Sequence, residues 1–240
     1  MIGTARRGVS APARWFARWQ ALLGWSIVAS GATAPAIAAS PAPAAIVATA
    51  APDDAGRFGG VATSEDVRDT VNWVSKSHDN HALPFVVIDK VNAVVLAFDG
   101  SGNLRGRAPA LLGMARGDAS VPGIGQRKLA TITPAERTTP AGRFQASLGR
   151  DFEQDILWID YDAALSLHRV IKGRRVDDRA GRLASATPSD NRISYGCVNV
   201  PPGFYDDVVK PLFTGTVGIV YILPEVKPLR SVLAVPGEAK

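Results

Sequence analysis

Short apolar runs separated by turn-forming residues dominate the chain from residue 83 to residue 223. The runs are rich in the β-branched and aromatic residues that strands favour, and some alternate apolar with polar side chains. They lie at 85–89, 93–98, 104–112, from Phe144 onward, 156–161, 165–171 and 216–223. Six or more strands with few helices predict a mainly β domain, a sandwich or an open barrel with one or two short helices.

Two stretches indicate the short helices. Residues 61–82 are a helical lead-in, in which Thr63 or Ser64 can cap a helix with three valines on one face, Val67, Val71 and Val74. A second short helix is expected within 203–212. Residues 224–240 are interpreted as a polar, proline-broken C-terminal tail.

The first 38 residues are typical of a secretory signal peptide. Four arginines precede an apolar segment at 21–29 that is too short to span a membrane comfortably, and small residues at 36–38 suit cleavage. The alternative is that this segment stays as a membrane anchor. Residues 39–60, rich in Ala, Pro and Gly, are interpreted as a linker. We therefore expect an exported protein of the periplasm or cell envelope, with no stable membrane span after signal removal.

The charge balance argues against a nucleic-acid partner. Removing the four arginines of the signal segment takes 27 basic residues to 23, against 22 acidic ones. The mature chain is then close to neutral, and no dense basic face remains to follow a phosphate backbone.

Cys197 is the only cysteine, and it stands directly after Gly196 in the run Ser194–Asn199. In an oxidising compartment a lone thiol has no intramolecular disulfide partner and risks oxidation. It is either a nucleophile or a small buried apolar side chain, and the local context favours the nucleophile. A small neighbour lets a substrate carbonyl approach both the sulfur and the backbone N–H groups.

The neighbours of Cys197 suggest supporting roles. Gly196 permits an unusual backbone angle, and N–H groups near Gly196 and Cys197 are candidates for an oxyanion hole. Ser194 and Asn199 either orient the loop and bind substrate or only satisfy backbone groups in a turn.

A nucleophilic thiol needs a base, and His168 is the histidine placed to serve as one. If the run 165–171 is a strand, His168 shares a face with Ser166 and Val170. The alternative is a satisfied core or edge histidine. His78 and His81 form a His-x-x-His pair without further evident ligands, so we interpret them as surface or loop residues rather than a metal site.

The polar residues 172–192 lack periodicity and lie between the histidine strand and the cysteine motif. They predict a long loop, which is either a lid or substrate wall or a disordered segment.

Together these residues resemble the catalytic domain of the L,D-transpeptidases, the YkuD fold. The resemblance spans residues 83–223. It is carried by Ser194–Asn199, by the upstream His168, by Thr139-Pro140-x-Gly-x-Phe144 and by the opening strands from Val87 to Lys90. It implies a β-sandwich-like fold with Cys197 as nucleophile and His168 as base. It also implies that oxyanion stabilisation and substrate positioning involve Gly196, Tyr195, Ser194 and Asn199.

The implied reaction is acyl transfer on peptidoglycan stem peptides, in cell-wall biogenesis and the maintenance of cell shape. Cys197 would attack the carbonyl of the third, diamino-acid residue of a donor tetrapeptide, D-alanine would leave, and an amine of a neighbouring stem would accept the acyl group. No metal or organic cofactor is implied. Two alternatives stay open: a hydrolase on the same scaffold, either an L,D-carboxypeptidase or an amidase that releases a peptidoglycan-linked group, and a non-catalytic peptidoglycan-binding domain. The acyl acceptor and the oligomeric state stay open too.

Three positions depart from the family pattern. Tyr195 stands where many members have His or Arg, and Arg169 follows the histidine where Gly is common. The interval between His168 and Ser194, 25 residues, is longer than usual, which bears on the choice of acceptor.

Overall fold

The computed structural model describes residues 57–58, 60–151 and 153–235. The predicted signal peptide at 1–38, nearly all of the linker at 39–60 and the end of the tail lie outside these described residues. The strands are β1 Phe85–Asp89, β2 Val94–Phe98, β3 Leu104–Pro109, β4 Leu112–Gly113, β5 Gly142–Asp151, β6 Gln154–Asp160, β7 Leu165–Arg169, β8 Arg192–Ser194, β9 Val198–Val200 and β10 Val217–Ile222. The helices are α1 Glu65–Ser77, α2 Arg179–Ala184, α3 Pro202–Phe204 and α4 Lys210–Phe213, with a π-helical turn, Tyr205–Val209, between α3 and α4.

Eight of the strands form one sheet in the order β3-β2-β1-β10-β5-β6-β7-β9, and β4 pairs with β8 in a small second sheet. Within the large sheet, β1 pairs with β10 and β7 with β9 in parallel, and the other pairs are antiparallel. The two edges of this sheet meet where Leu111 and Asn199 exchange backbone hydrogen bonds of 2.8 and 2.9 Å. The sheet is thus nearly closed, and the predicted mainly β open barrel with few short helices is confirmed.

Both faces of the central strands are buried, which explains their continuous apolar runs. In β1, Val86 and Ile88 belong to a shared core that also receives Phe204 and Val209 from the α3–α4 segment. The alternate residues of β1 and β10 pack instead against α1 and the C-terminal segment, a second group that we call the α1 cluster.

The helix α1 forms where its sequence pattern places it. The Ser64 side chain accepts a hydrogen bond from the Val67 N–H and caps the first turn. Val67, Val71 and Val74 are fully buried on the face that contacts the sheet. Within the described residues, no helix has the length and apolar character needed to cross a bilayer.

The segment expected to hold one short helix at 203–212 contains α3, the π-helical turn and α4 in succession. Pro211 has no N–H to donate to the carbonyl of the preceding turn, which is consistent with the widened turn just before it. Gly106 on β3 lets this helical segment pack closely, because a Cβ atom at that position would lie only 3.0 Å from Val208 and 3.2 Å from Phe204.

The interpretation of 172–192 as a loop without structure of its own is wrong. It contains α2 between two 3-10 turns, Arg175–Asp177 and Pro188–Asn191. Local polar contacts build it: the Asp178 side chain caps α2 at Gly181, and Arg182 donates to the carbonyls of Asp177 and Asp190. Because these contacts need no apolar periodicity, the sequence pattern did not indicate a helix here.

The described part of the tail is packed onto the domain, contrary to its polar and proline-broken appearance. Leu229, Leu233 and Val235 are buried in the α1 cluster. The prolines set the course of the chain while single apolar residues between them make the contacts.

Replacing Leu233 by Ala tests this packing. Leu233 is 3% exposed, and deleting its buried side chain should lower the free energy of unfolding by about 2–4 kcal/mol. The matched variant Val226→Ala, at a residue 70% exposed, should change it by less than about 0.5 kcal/mol. Urea denaturation measures both, and equal small effects would contradict the packed tail.

Candidate active site

The parallel pairing of β7 with β9 brings the predicted cysteine and histidine together. His168 lies on β7 directly opposite Asn199 of β9, and Leu167 lies opposite Val198. Cys197 immediately precedes β9, on a level with Ser166. Parallel neighbours require a long crossover connection, which the segment 170–192 supplies. The long interval between His168 and the motif is therefore largely a consequence of topology.

The imidazole of His168 is oriented by a backbone group. Its Nδ1 lies 2.7 Å from the carbonyl oxygen of Arg169. A carbonyl only accepts, so Nδ1 carries a proton and the neutral ring has its lone pair on Nε2. The sequence offers no signal for this contact, because every residue has a carbonyl group.

The side chain of Arg169 holds that carbonyl in place from the outside. Its guanidinium forms ion pairs with Asp155, at 3.1 Å, and with Asp206. It also lies over the ring of Tyr205, 4.2 Å from its centroid. The arginine that departs from the family pattern thus ties the end of β7 to β6 and to the helical segment after β9.

The thiol of Cys197 is half-buried and lies among groups of β7 and the turn before it. Its sulfur is 3.5 Å from Ser166 Oγ and 3.5 Å from the Ala164 carbonyl oxygen. Ser166 was placed on the face of His168 by the strand pattern, but its contact with the sulfur was not predicted.

Cys197 and His168 shift each other's pKa in opposite directions. Burial raises the pKa of the Cys197 thiol, but the interaction with His168 and the hydrogen bonds from Ser166 together outweigh it, and the pKa is lowered. Burial likewise depresses the pKa of His168, but the interaction with Cys197 outweighs it, and the pKa is raised. Both shifts are in the direction of a thiolate–imidazolium pair, the reactive form of a cysteine nucleophile.

Ser194 closes the turn that presents Cys197. Its hydroxyl donates to the Cys197 carbonyl at 2.6 Å and accepts from the Gly196 N–H at 3.0 Å. The Gly196 N–H is therefore engaged, whereas the Cys197 N–H makes no hydrogen bond within the described residues. Of the two suggested oxyanion donors, only that of Cys197 is available in this arrangement.

Gly196 occupies a position that other residues do not fit. Its φ is 138°, and a Cβ would lie 2.8 Å from the Thr138 carbonyl oxygen. The Thr139 hydroxyl donates to the Gly196 carbonyl at 2.7 Å and accepts from the Gly113 N–H at 2.9 Å. This buried threonine of the Thr-Pro-x-Gly-x-Phe element thus fixes the backbone just before the thiol.

Tyr195 is half-buried, and its ring lies under the guanidinium of Arg137, 3.9 Å from ring centroid to Cζ. Arg137 in turn donates to the Ile132 carbonyl at 3.0 Å. Tyr195 therefore joins the cysteine turn to the segment 132–138.

Asn199 has a larger part in the site than the sequence suggested. Its Nδ2 lies 3.3 Å from His168 Nε2 and 3.3 Å from the Cys197 carbonyl oxygen. Its Oδ1 accepts a 2.9 Å hydrogen bond from Arg179 Nη1 of α2. Sequence reasoning missed Arg179, since it stands far from the motif in a segment without periodicity.

A buried ion cluster around Lys90 contacts the backbone of Thr139. Lys90 has no exposed surface, and its Nζ contacts the carbonyls of Gly117 and Thr139 at 2.6 and 2.9 Å and Asp118 Oδ1 at 2.8 Å. Burial raises the pKa of Asp118, but hydrogen bonds from Lys90 and from three backbone N–H groups at 225–227 outweigh it and lower it to about 2. The sequence pattern gave no indication that Lys90 is buried.

His78 and His81 lie apart from this site, exposed in the turns after α1 with φ of 55° and 52°. Within the part of the chain that the structure describes, no three His, Cys, Asp or Glu side chains are grouped so that they could hold a metal ion.

No family model and no curated protein matches the sequence. Among solved structures, the helical cell shape determining protein Pgp2 from Campylobacter jejuni aligns at 12% identity over 68% of this chain and 57% of its own, with a TM-score of 0.36. This chain thus spans little more than half the length of that protein. The catalytic domain of the E. faecium L,D-transpeptidase aligns at 17% identity over 58% of this chain and 95% of its own, with a TM-score of 0.30.

A fused Zn-dependent amidase/peptidase/peptidoglycan-binding domain-containing protein from Clostridium acetobutylicum aligns at 17% identity over 71% of this chain and 69% of its own, with a TM-score of 0.32. Alignments with TM-scores this low carry no argument about function, which depends on the atoms of the site itself.

Thr139→Val tests the support beneath the thiol. The substitution keeps the side-chain shape but leaves the Gly113 N–H and the Gly196 carbonyl without a buried partner, which should cost about 1–3 kcal/mol of folding free energy. Alkylation of Cys197 by iodoacetamide should also slow, because the turn is no longer fixed. Thr139→Ser, which keeps the hydroxyl, should retain the alkylation rate. Equal rates in the Val and Ser variants would show that the hydroxyl does not position the turn.

The pH profile of Cys197 alkylation tests the thiolate–imidazolium pair. Since the pKa of Cys197 is lowered by His168, the wild-type rate should persist as pH falls below the ordinary thiol range. In His168→Gln burial still raises the thiol pKa and only the hydrogen bonds from Ser166 lower it, so the inflection should move to higher pH than in wild type. His81→Gln, at an exposed histidine, is the matched control and should leave the profile unchanged. A His168→Gln profile equal to wild type would rule out this pairing.

Proposed function

We propose that this protein is an exported, cysteine-dependent L,D-transpeptidase that acts on peptidoglycan stem peptides. The observation that carries the proposal is the pairing of β7 with β9, which places His168, with its Nδ1 held by a backbone carbonyl, beside the turn that presents Cys197. This pair lies within the motif and strand elements that resemble the L,D-transpeptidase family. The export step and the envelope location rest on the N-terminal sequence pattern.

The first half-reaction follows from the geometry of the pair. The Cys197 thiolate attacks the carbonyl of the third residue of a donor tetrapeptide, and the oxyanion that forms faces the free Cys197 N–H. The C–N bond to the terminal D-alanine then breaks, and the His168 imidazolium gives its proton to the leaving amine. A thioester on Cys197 and a neutral imidazole remain.

The second half-reaction uses the neutral imidazole as a base. His168 takes a proton from an acceptor amine, the amine attacks the thioester carbonyl, and the sulfur leaves as thiolate beside the regenerated imidazolium. If water replaces the amine, the same intermediate is hydrolysed, which is the carboxypeptidase alternative. No step of either route calls for a metal or an organic cofactor.

Incubation with purified tetrapeptide muropeptides, followed by mass spectrometry, tests the proposal. Cross-linked dimers with release of D-alanine support transfer, and tripeptide without dimers supports hydrolysis. Cys197→Ala should abolish both products and the acyl-enzyme. Absence of turnover, together with a Cys197 that does not react with a thiol reagent, would leave a peptidoglycan-binding domain as the better account.

A further inference from the structure

The crossover helix α2 brings a guanidinium to the edge of the Cys–His pair. Arg179, the first residue of α2, donates from Nη1 to Asn199 Oδ1 at 2.9 Å. Asn199 in turn lies against His168 Nε2 and the Cys197 carbonyl, each at 3.3 Å. The Asn199 side chain thus connects Arg179 to both Cys197 and His168.

This guanidinium has few partners for a charged group that is half-buried. Its Nε is buried and makes no hydrogen bond within the described residues, and Arg179 is absent from the ion pairs among them. Asp177, which lies on the same turn, pairs with the exposed Arg174 at 3.3 Å. By contrast, Arg169 is held by two carboxylates and Arg192 by Glu225.

An arginine presents five N–H donors and does not lose its charge. The Asp177 carboxylate lies near Arg179, since a Cβ at Gly173 would meet both side chains, but the two form no ion pair within 4 Å. A partly desolvated guanidinium with one neutral hydrogen-bond acceptor and no ion pair is suited to binding an anion, and the planar fork fits a carboxylate. The contact with Asn199 fixes the orientation of the fork, so little rotamer freedom is lost when an anion binds.

We propose that Arg179 binds a carboxylate of the donor peptide next to the scissile bond and thereby selects the donor. The proposal rests on the proposed function, which supplies two carboxylates of this kind. One is the α-carboxylate of the leaving terminal residue, and the other is the free carboxylate of the diamino acid that Cys197 acylates.

Alkylation of Cys197 tests the anion site without any peptide substrate. Iodoacetate carries the carboxylate that iodoacetamide lacks, so Arg179 should raise the rate with iodoacetate relative to that with iodoacetamide. In Arg179→Gln this ratio should fall about three- to tenfold, the size expected for a partly exposed charge-assisted hydrogen bond. Arg179→Lys keeps the charge without the fork and should fall between the two.

Arg175→Gln is the matched control, since it removes a charge from an exposed arginine in the same crossover. The ratio should stay at the wild-type value there. An Arg179→Gln ratio equal to that of wild type, in a protein whose circular dichroism spectrum is unchanged, would overturn the proposal. If α2 loosens in the Gln variant, Arg179→Lys retains the comparison.

Donor peptides distinguish the two carboxylates. Wild-type protein should lose about tenfold in kcat/KM when the carboxylate that Arg179 binds is converted to a carboxamide, either at the terminal residue or on the diamino acid. Arg179→Gln should not discriminate against that amide. If neither amide affects wild type, Arg179 does not bind the donor. A normal iodoacetate preference with no peptide turnover would instead count against the proposed function while leaving the anion site in place.

Discussion

The buried ammonium of Lys90 is the group on which the arrangement around the site depends. A charge without exposed surface is costly unless it is paired and hydrogen-bonded, so Asp118 and the carbonyls of Gly117 and Thr139 have to meet it at the end of β1. Asp118 also accepts from three backbone N–H groups after β10, and Glu225 from that same segment pairs with Arg192 of β8.

The cations Lys90 and Arg192 and the anions Asp118 and Glu225 therefore connect the end of β1, the segment 117–118 and the segment 225–227 to the β4–β8 sheet. This small sheet leads into the cysteine motif. Because the pKa of Asp118 is lowered to about 2, its contribution to stability is present above the ordinary carboxylate pKa and is lost only as pH falls toward 2. Asp118 thus stays ionised under the conditions in which a cysteine nucleophile works, whereas burial lowers the pKa of Lys90. Thr139 links this ion cluster to Gly196 by one hydrogen bond.

The fold was predictable where local chemistry and burial agree. The apolar runs that became β1, β2, β6, β7 and β10 are buried strands, and the Ser64 cap with its valine stripe became α1. Cys197 and His168 were also identified from sequence as a pair, because a lone thiol and a strand-borne histidine carry distinct chemistry. The structure brings them together, although their catalytic roles stay a proposal.

The remaining features depend on groups that leave no pattern in a sequence. The Arg169 carbonyl is a backbone group, α2 is built by polar contacts, and Lys90 resembles an ordinary turn lysine until the distant Asp118 is placed against it. Arg179 reaches Asn199 only because the parallel pairing of β7 and β9 requires a crossover in this place. These contacts are set by tertiary topology, which single-sequence patterns do not record.

If Arg179 binds a donor carboxylate, its charge acts differently on the two halves of the reaction. In the first half it attracts an anionic donor, while its charge lowers the pKa of His168 and so acts against the imidazolium until the donor carboxylate offsets that charge. Once the thioester forms, the thiolate charge is gone, and a terminal carboxylate leaves with its residue. If the terminal carboxylate is the one bound, the guanidinium is then unbalanced and repels an acceptor ammonium, which has to lose a proton before it can attack the thioester, whereas water carries no charge to repel. Transfer is then favoured by an acceptor that approaches from a side away from α2. The position of one arginine in the crossover thus bears directly on whether the acyl-enzyme is used for cross-linking or for hydrolysis.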